Sequence, residues 1–387
     1  MKKLVLNYDV CVVGGGIAGI SAAFAAVRSK KRTILVEANY MLGGLVTSGL
    51  VSIYLPFDDG HGHQISFGIC DELFKLSMSK GYEDRYPKAW MNNKDIKSRS
   101  KERLEVQFNP QMFSILCEQQ LCKENVEILY GCIVRDVVVK NNKVIKLIGS
   151  TRTQDVEISA SSFVDATGDA TICEKTGLPI GKPDKGNVLA NWYYSVEKGE
   201  YKLNLLGSCD YVYTDKKQYK WFDGIDALEL SEKTIDGHEA ILKSFLKKGN
   251  GTKEYAIATI PTIPEVRMTR RLVGNYAIKS NENDKIFEHS IGLVSYWAKK
   301  GINYEIPAEI LFNSKIKNLY VAGRCVSVDD DIMWNVLRAI PGCAVTGEAS
   351  GYLAANFSNN KSIDYKKVQS DLRKRNVKIH LCEIDFN

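Results

Sequence analysis

The sequence has no CxxC pair, although ten cysteines are spread along its 387 residues. Zinc-ribbon and iron–sulfur ligand sets need clustered thiols, so both are disfavoured. It also lacks any run of about 20 apolar residues, which leaves no candidate membrane-spanning helix. Neither sign of charge dominates: 52 basic residues face 46 acidic ones, and the net charge of +6 is diffuse. That excess is too weak to point to nucleic acid, but it suits an anionic cofactor or substrate. The basic stretch 361–378 is expected to be a solvated helix. There is no internal repeat and no low-complexity tract. Lys2 and Lys3 stand where a signal peptide would carry charge. Asn7, Tyr8 and Asp9 then break the apolar stretch, and no small-residue cleavage pattern follows. The chain is therefore expected to stay in the cytoplasm, with most cysteines reduced and many buried as small apolar residues.

What is present is an ordinary globular composition, 44% hydrophobic and 25% charged, in a chain long enough for two or three domains or layers and a large core. Residues 8–13 form a short β-branched run, a buried strand by pattern. Residues 17–27 are alanine-rich and helical by propensity. Residues 33–36 give a second strand ending at Glu37. Strand, glycine turn, helix and strand make a βαβ unit on a parallel sheet. A long irregular segment, 43–103, follows. Asn109 caps a helix with Pro110 at its first position. Residues 126–129 are a strand, and 133–139 with 144–148 form a hairpin around Asn141-Asn142. Residues 156–158 add a third antiparallel strand, and 162–166 lead into Thr167-Gly168-Asp169. From about 180 to 305 the character changes to aromatic residues, turns and short strand-like runs, expected to be an inserted antiparallel domain. Residues 319–322 are a strand, and 342–357 a helix of small residues introduced by Pro341.

Gly14, Gly16 and Gly19 fit GxGxxG, and Ala23 extends the pattern. The first glycine permits the tight turn, the second lets backbone approach a pyrophosphate, and the third allows close helix–sheet packing. The first helical turn then offers its N–H groups and dipole to phosphate. Glu37, at the end of the second strand, can accept from both ribose hydroxyls and would repel a 2′-phosphate. Gly43-Gly44 follow soon after. A simple NAD domain needs nothing there, whereas an extended FAD does. The stretches FVDATGDAT (163–171) and LYVAGRCVS (319–327) are strands ending in small–Gly pairs, and both could return to the cofactor.

With these motifs the chain resembles the FAD-dependent oxidoreductases of the glutathione-reductase-type FAD fold, specifically a bacterial group described as xanthan-lyase-like. The resemblance runs almost end to end, through VVGGGIAGISAA, LVEANYMLGGLVTSGLVS, DDGHGHQISFGICDEL, FNPQMFSILCEQQL, FVDATGDATICEKTGLP, VRMTRRLVG, YEIPAEILF and VAGRCVS…LRAIPGCAVTGEASG. It implies an α/β fold: a Rossmann-like FAD-binding domain with parallel sheet and β-meander, plus an inserted, mainly antiparallel substrate domain. The expected division is 1–180 and 306–358 for FAD binding, 181–305 for the inserted substrate or cap domain, and 359–387 for a C-terminal helical tail. The implied cofactor-binding residues are Gly14, Gly16, Ala18, Gly19, Glu37, Ala38, Gly43, Gly44, Val134, Ala166, Thr167, Gly168, Gly323, Arg324, Gly342, Cys343 and Ala344. The turn Pro341-Gly342-Cys343 would aim a helix N-terminus at the flavin edge and favour its anionic reduced form.

Four residues are candidates for the chemistry. Arg338, three residues before that turn, and Arg270 could hold a carboxylate or the flavin edge. In VRMTRRLVG, if that segment is a strand, Arg267 and Arg271 share one face and Arg270 takes the other. His61 or His63, in the glycine-rich loop 58–64, could take the proton released when hydride leaves an alcohol or amine. An exposed polar turn is the competing reading. His-x-His lacks a third ligand cluster, so no metal is expected. Cys325 and Cys343 are expected to pack as small residues. The run 329–331, three aspartates, departs from the family pattern and is either a solvated loop or part of the cavity. Trp192, Tyr193, Tyr194, Tyr211, Tyr213, Trp221 and Trp297 are expected mainly in a core rather than on a ligand. The expected activity is oxidation of a CH–OH or CH–NH group of a small polar metabolite. The alternatives are a C=C or C=O reductase, or an FAD-carrying electron-transfer subunit. A small-molecule substrate is the expected partner, with no nucleic acid and no membrane. NAD(P)H, a redox partner and a homo-oligomer remain open.

Overall fold

Residues Lys3–Val13 form strand β1, whose burial becomes complete from Val10 onward because that half lies mid-sheet. The computed structural model describes residues 3–80, 85–92, 94–207, 220–249, 251–358 and 362–386. Cys209, Tyr211 and Tyr213 lie outside them. Helix α1 (Ile17–Arg28) follows the glycine turn, and β2 (Thr33–Val36) returns parallel to β1, with Val10 opposite Thr33 and Val13 opposite Val36. This is the βαβ unit that the apolar pattern predicts.

The segment 43–103 is less irregular than its sequence suggests. It holds α2 (Ile69–Met78), and single helical turns at Lys88–Met91 and Ile96–Arg99. Helix α3 (Pro110–Lys123) starts as expected, with the Asn109 side chain accepting from the N–H of Met112. β3 (Glu127–Leu129) adds to β2 in parallel. β4 (Ile133–Lys140) and β5 (Lys143–Ser150) form the expected hairpin, with Asn141 and Asn142 both at positive φ, 51° and 57°. Two consecutive left-handed residues give the tight turn whose twist matches the strands.

The two short runs expected at 156–158 and 162–166 are one strand, β6 (Asp155–Asp165). One edge of it pairs with β1 throughout. The other edge pairs first with β5, antiparallel, and then with a later strand, parallel. The meander thus peels away where the parallel sheet needs the edge.

Beyond residue 190, β7 (Tyr193–Glu197), β8 (Glu200–Asn204) and β9 (Tyr255–Thr259) form a separate antiparallel sheet in the order β8-β7-β9. Between β8 and β9 runs α4 (Ala227–Lys248), at 22 residues the longest helix among those described. Sequence reading misses it because its buried stripe, Lys233, Gly237, Ile241 and Phe245, begins with a lysine and a glycine. Tyr193 and Tyr194 are fully buried, in line with the core expectation. β10 (Ser290–Ser295) and β11 (Asn303–Pro307) form a further pair, and β12 (Leu319–Val321) supplies the parallel partner of β6. Helices α5 (Asp331–Leu337), α6 (Ile340–Ala355) and α7 (Tyr365–Lys374) complete the order. No helix among the described residues is long and apolar enough to cross a membrane.

Every residue of α6 is buried. Gly347 and Gly351 abut the backbone carbonyls of Ala18 and Ala22, so α6 and α1 touch main chain to main chain. The one carboxylate in this helix, Glu348, crosses to α2. Its Oε2 accepts the N–H of Ile69 at 2.9 Å, and Gly68 leaves room for it. Burial pushes the Glu348 carboxyl up to about 7. The folded state therefore holds a proton that the unfolded chain releases from about 4.5 upward, so stability falls as pH rises through this window and levels off above it. This group alone should account for a loss on the order of 3 kcal/mol between pH 4.5 and 8. Glu348→Gln keeps the acceptor and removes the titration, so urea unfolding of the variant should lack that decline. Parallel pH profiles of the two proteins would refute the assignment.

Candidate functional site

The turn between β1 and α1 sits on the end of β6. Gly14, at φ +101°, donates its N–H to the Val36 carbonyl at 2.8 Å, and a side chain here would strike the Ala166 carbonyl. A side chain at Gly19 would strike the Gly14 carbonyl. Gly16 differs: its backbone is extended, and a Cβ built on it meets nothing within 4 Å. Two glycines let the turn close, and the third leaves open space for a ligand.

Gly15 was not singled out by the sequence pattern, yet its N–H donates to Glu37 Oε2 at 2.6 Å. A Cβ there would lie 2.7 Å from Leu42. The other Glu37 oxygen accepts from the Asn39 backbone at 2.7 Å and its side chain at 2.9 Å. A carboxylate offers about four acceptor positions, so one on Oε2 remains for a ligand. The second glycine loop is tied to the first, since Gly43 donates to the Gly15 carbonyl at 2.8 Å.

These loops open onto a cavity of about 400 Å³, a size typical of small-molecule sites. Of the expected residues, Gly14, Gly16, Ala18, Glu37, Ala38, Gly43 and Gly44 line it on the side of the first two strands. Val134, Ala166, Thr167, Gly168, Arg324, Arg338 and Cys343 line it further along. Gly19, Gly323, Gly342 and Ala344 stand behind the wall: Gly323 packs on Ala18, and Gly342 on the backbone of Leu337. Ile340 and Cys343 bring the first turn of α6 to the cavity. Sequence reasoning missed Asp169, Cys132 and a wall supplied by Gly224, Leu230, Ile263, Pro264 and Val266. Asp169 had a signal, its place directly after Thr167-Gly168, whereas the far wall had none.

Two cations face this space. Arg324 crosses over Gly168, donates to the Val266 carbonyl, and lies 3.8 Å from Asp169. Arg338 donates to the Asn335 side chain. The other arginines diverge. In VRMTRRLVG only Arg271–Leu272 is strand, paired with Ile180–Gly181, so the shared-face expectation for Arg267 and Arg271 does not hold. Arg270 donates to the Asp169 carbonyl at 2.9 Å and approaches Glu174, outside the cavity wall. Arg271 donates to the carbonyls of Val328 and Lys182 and lies over the Trp334 ring. Arg267 pairs with Glu265 at 3.0 Å.

The structure does not bring His61 or His63 to the cavity. His61 is exposed. His63 Nδ1 is 2.7 Å from Asp59, whose carboxylate also accepts the backbone N–H groups of His61 and His63. Asp58 pairs with Arg103 at 3.0 Å and accepts from Leu104. The loop is tied up by its own aspartates. The run 329–331 is likewise structural: Asp330 caps α5 and accepts from Ser280, Asp331 accepts from Asp184, and Asp329 pairs with Lys279. Cys325 accepts the N–H groups of Gly168 and Ala170 at 3.2 and 3.3 Å. Burial pushes the Cys343 thiol up to about 12. Neither is a thiolate near neutral pH, as expected for packed cysteines. Among the described residues no cluster of His, Cys, Asp and Glu could hold a metal ion.

The model of the family described as FAD dependent oxidoreductase matches residues 9–191 and 182–372. The chain is 26% identical over 184 residues to a thioredoxin reductase of Ureaplasma parvum serovar 3. That match takes in 46% of this chain and 56% of the relative, about half of its length. Two solved structures align over 96% of this chain and 84% of theirs. One is a geranylgeranyl bacteriochlorophyll reductase-like protein of Thermoplasma acidophilum, with 15% identity and a TM-score of 0.46. The other is a p-nitrophenol 4-monooxygenase of Pseudomonas putida, with 13% identity and a TM-score of 0.48.

The glycines separate folding from binding. Gly16→Ala should leave the melting temperature of the FAD-free protein nearly unchanged but weaken FAD retention at least tenfold. Gly19→Ala should destabilise the fold itself by about 2 kcal/mol or more, as overpacking does. Thermal melts and FAD titrations of both variants check this, and equal FAD affinity in Gly16→Ala and the parent would contradict it.

Proposed function

The chain belongs to the family of FAD dependent oxidoreductases, and on that premise we propose that it oxidises a CH–OH or CH–NH group of a small polar metabolite. The observation that carries this reading is the cavity that starts at Gly16 and Glu37 and ends between Arg324, Arg338 and the far wall. When bound, FAD supplies an isoalloxazine ring that takes up hydride. The residues fit that cofactor. The open face of Gly16 and the first turn of α1 take the pyrophosphate. The remaining acceptor position on Glu37 takes a ribose hydroxyl. Arg324, Arg338 and the first turn of α6 put positive charge at the other end, where negative charge develops on reduction. Gly224, Leu230, Ile263, Pro264 and Val266 close that end with largely apolar surface and exclude water.

Dithiol chemistry of the kind the Ureaplasma relative is named for is not favoured. The cavity cysteines Cys132 and Cys343 are both buried, and burial raises both thiols. Asp169 is the carboxylate at this end of the cavity. Held by the Thr269 hydroxyl at 2.7 Å, it is the group we assign to accept the substrate proton in place of either histidine.

Anaerobic titration of the yellow protein with alcohols and amines tests the direction. Bleaching of the visible flavin band by one of them is the expected result. Reduction only by NAD(P)H or a protein partner would turn the assignment to a reductase. Arg338→Met should retain FAD and slow substrate-driven reduction about 10- to 100-fold. Stopped-flow absorbance measures it, and an unchanged rate would remove Arg338 from the chemistry.

A further inference from the structure

Behind the far wall of the cavity lies a polar cluster that FAD does not use. Lys233, on α4, is only 2% exposed, an uncommon position for a lysine. Its Nζ reaches the Ala190 carbonyl at 3.4 Å. One turn further along α4, Gly237 abuts the side-chain amide of Asn191. Arg267 donates to Glu265 Oε2 at 3.0 Å, and the other Glu265 oxygen accepts the backbone N–H of Trp192. The Arg267 guanidinium lies 5.4 Å from the centre of the Trp192 ring.

This cluster is short of acceptors. Asn191 Nδ2, Trp192 Nε1 and Arg267 Nε are buried donors with no hydrogen-bond partner among the described residues. The three side chains belong to residues 6%, 5% and 7% exposed. Native interiors rarely leave such donors unmatched, because a buried donor without an acceptor loses its hydration and gains nothing in return. Charge is unbalanced in the same sense, since Lys233 and Arg267 face the single carboxylate of Glu265. Burial lowers the Lys233 ammonium to about 8, against the pull of Glu265. None of these side chains lines the cavity itself, but their chain neighbours do. Leu230 lines it three residues before Lys233, and Pro264 and Val266 line it on either side of Glu265.

We propose that Lys233, Arg267, Trp192 and Asn191 bind a carboxylate group of the substrate. One surplus positive charge matches a carboxylate and would leave a phosphate monoester, at about −1.5 to −2, undercompensated. Glu265 is a positioning residue that holds Arg267 and the Trp192 backbone. The inference rests on the oxidoreductase reading and deepens it, naming the substrate as a small hydroxy or amino acid whose acid group is held in the cap.

The test uses the FAD-loaded protein, titrated with malonate, succinate and inorganic phosphate, and with succinamide as the neutral counterpart. Flavin difference spectra and melting temperature are the readouts. The carboxylates should bind saturably and perturb the flavin band, and succinamide should do neither. Lys233→Met, which leaves the Glu265–Arg267 pair intact, should keep its FAD, weaken carboxylate binding at least tenfold and raise the ligand-free melting temperature by about 2 °C. Arg267→Lys keeps the charge but loses Nε, and should weaken binding similarly. A merely structural lysine would shift the melt without moving the affinity. The proposal is overturned if the yellow parent protein binds no carboxylate, if Lys233→Met binds as tightly as the parent, or if phosphate binds tighter than every carboxylate. Failure of the parent to bleach with any alcohol or amine, while still binding carboxylates, would instead overturn the reaction proposed above and leave this site standing.

Discussion

Contact of backbone with backbone, where the first glycine turn meets the end of β6, is the constraint that the rest of the molecule obeys. The Gly14 Cα lies against the Ala166 carbonyl, and Gly19 against the carbonyl of Gly14. α6 closes on α1 in the same way, through Gly347 and Gly351. Such contacts have no slack, because a single Cβ would push whole elements apart. They draw the carboxyl ends of β1, β2 and β6, and the amino ends of α1 and α6, onto one small volume. The cavity is what remains between elements packed this closely.

That tightness explains which parts the sequence exposes to a reader. A glycine that permits contact within a few residues leaves a fixed spacing, so Gly14, Gly16, Gly19 and Glu37 are legible together. The Asn141-Asn142 hairpin and the Asn109-Pro110 helix start are legible for the same reason, since local chemistry alone decides them. Helix α4 is illegible because its buried face carries Lys233 and Gly237, which weaken both apolar period and propensity. The histidines of the 58–64 loop look reactive in sequence. Only tertiary structure reveals that Asp58 holds Arg103 and that Asp59 holds the loop backbone and Nδ1 of His63. The three arginines of VRMTRRLVG fail for a related reason. A strand would have aligned them, but a chain that is strand only at Arg271–Leu272 sends each to a different carbonyl or carboxylate.

Electrostatics divide the cavity into unlike ends. Near the first two strands, Glu37 is held by three N–H donors and leaves little acceptor capacity unspent. At the other end, Arg324 and Arg338 face Asp169 and the first turn of α6. A ligand spanning both must be hydroxyl-bearing at one end and able to take negative charge at the other. A dinucleotide with a reducible ring meets that description, and a dinucleotide bearing a 2′-phosphate would place like charge beside Glu37.

The segment that carries α4 and the β8-β7-β9 sheet follows a different logic from the main sheet. Around the first glycine turn, local preference and global packing agree, and Glu37 is held by the N–H groups of Gly15 and Asn39. Around α4 they conflict: a lysine occupies its buried stripe, and three buried donors gather beside an ion pair without acceptors. Apolar residues of similar volume would stabilise such a helix better. Sequences tolerate this kind of local inconsistency where function demands it. The stability forgone at Lys233, Arg267 and Trp192 is thus best understood as the binding energy of a partner group, one that brings the negative charge and the acceptor atoms that the folded chain does not provide.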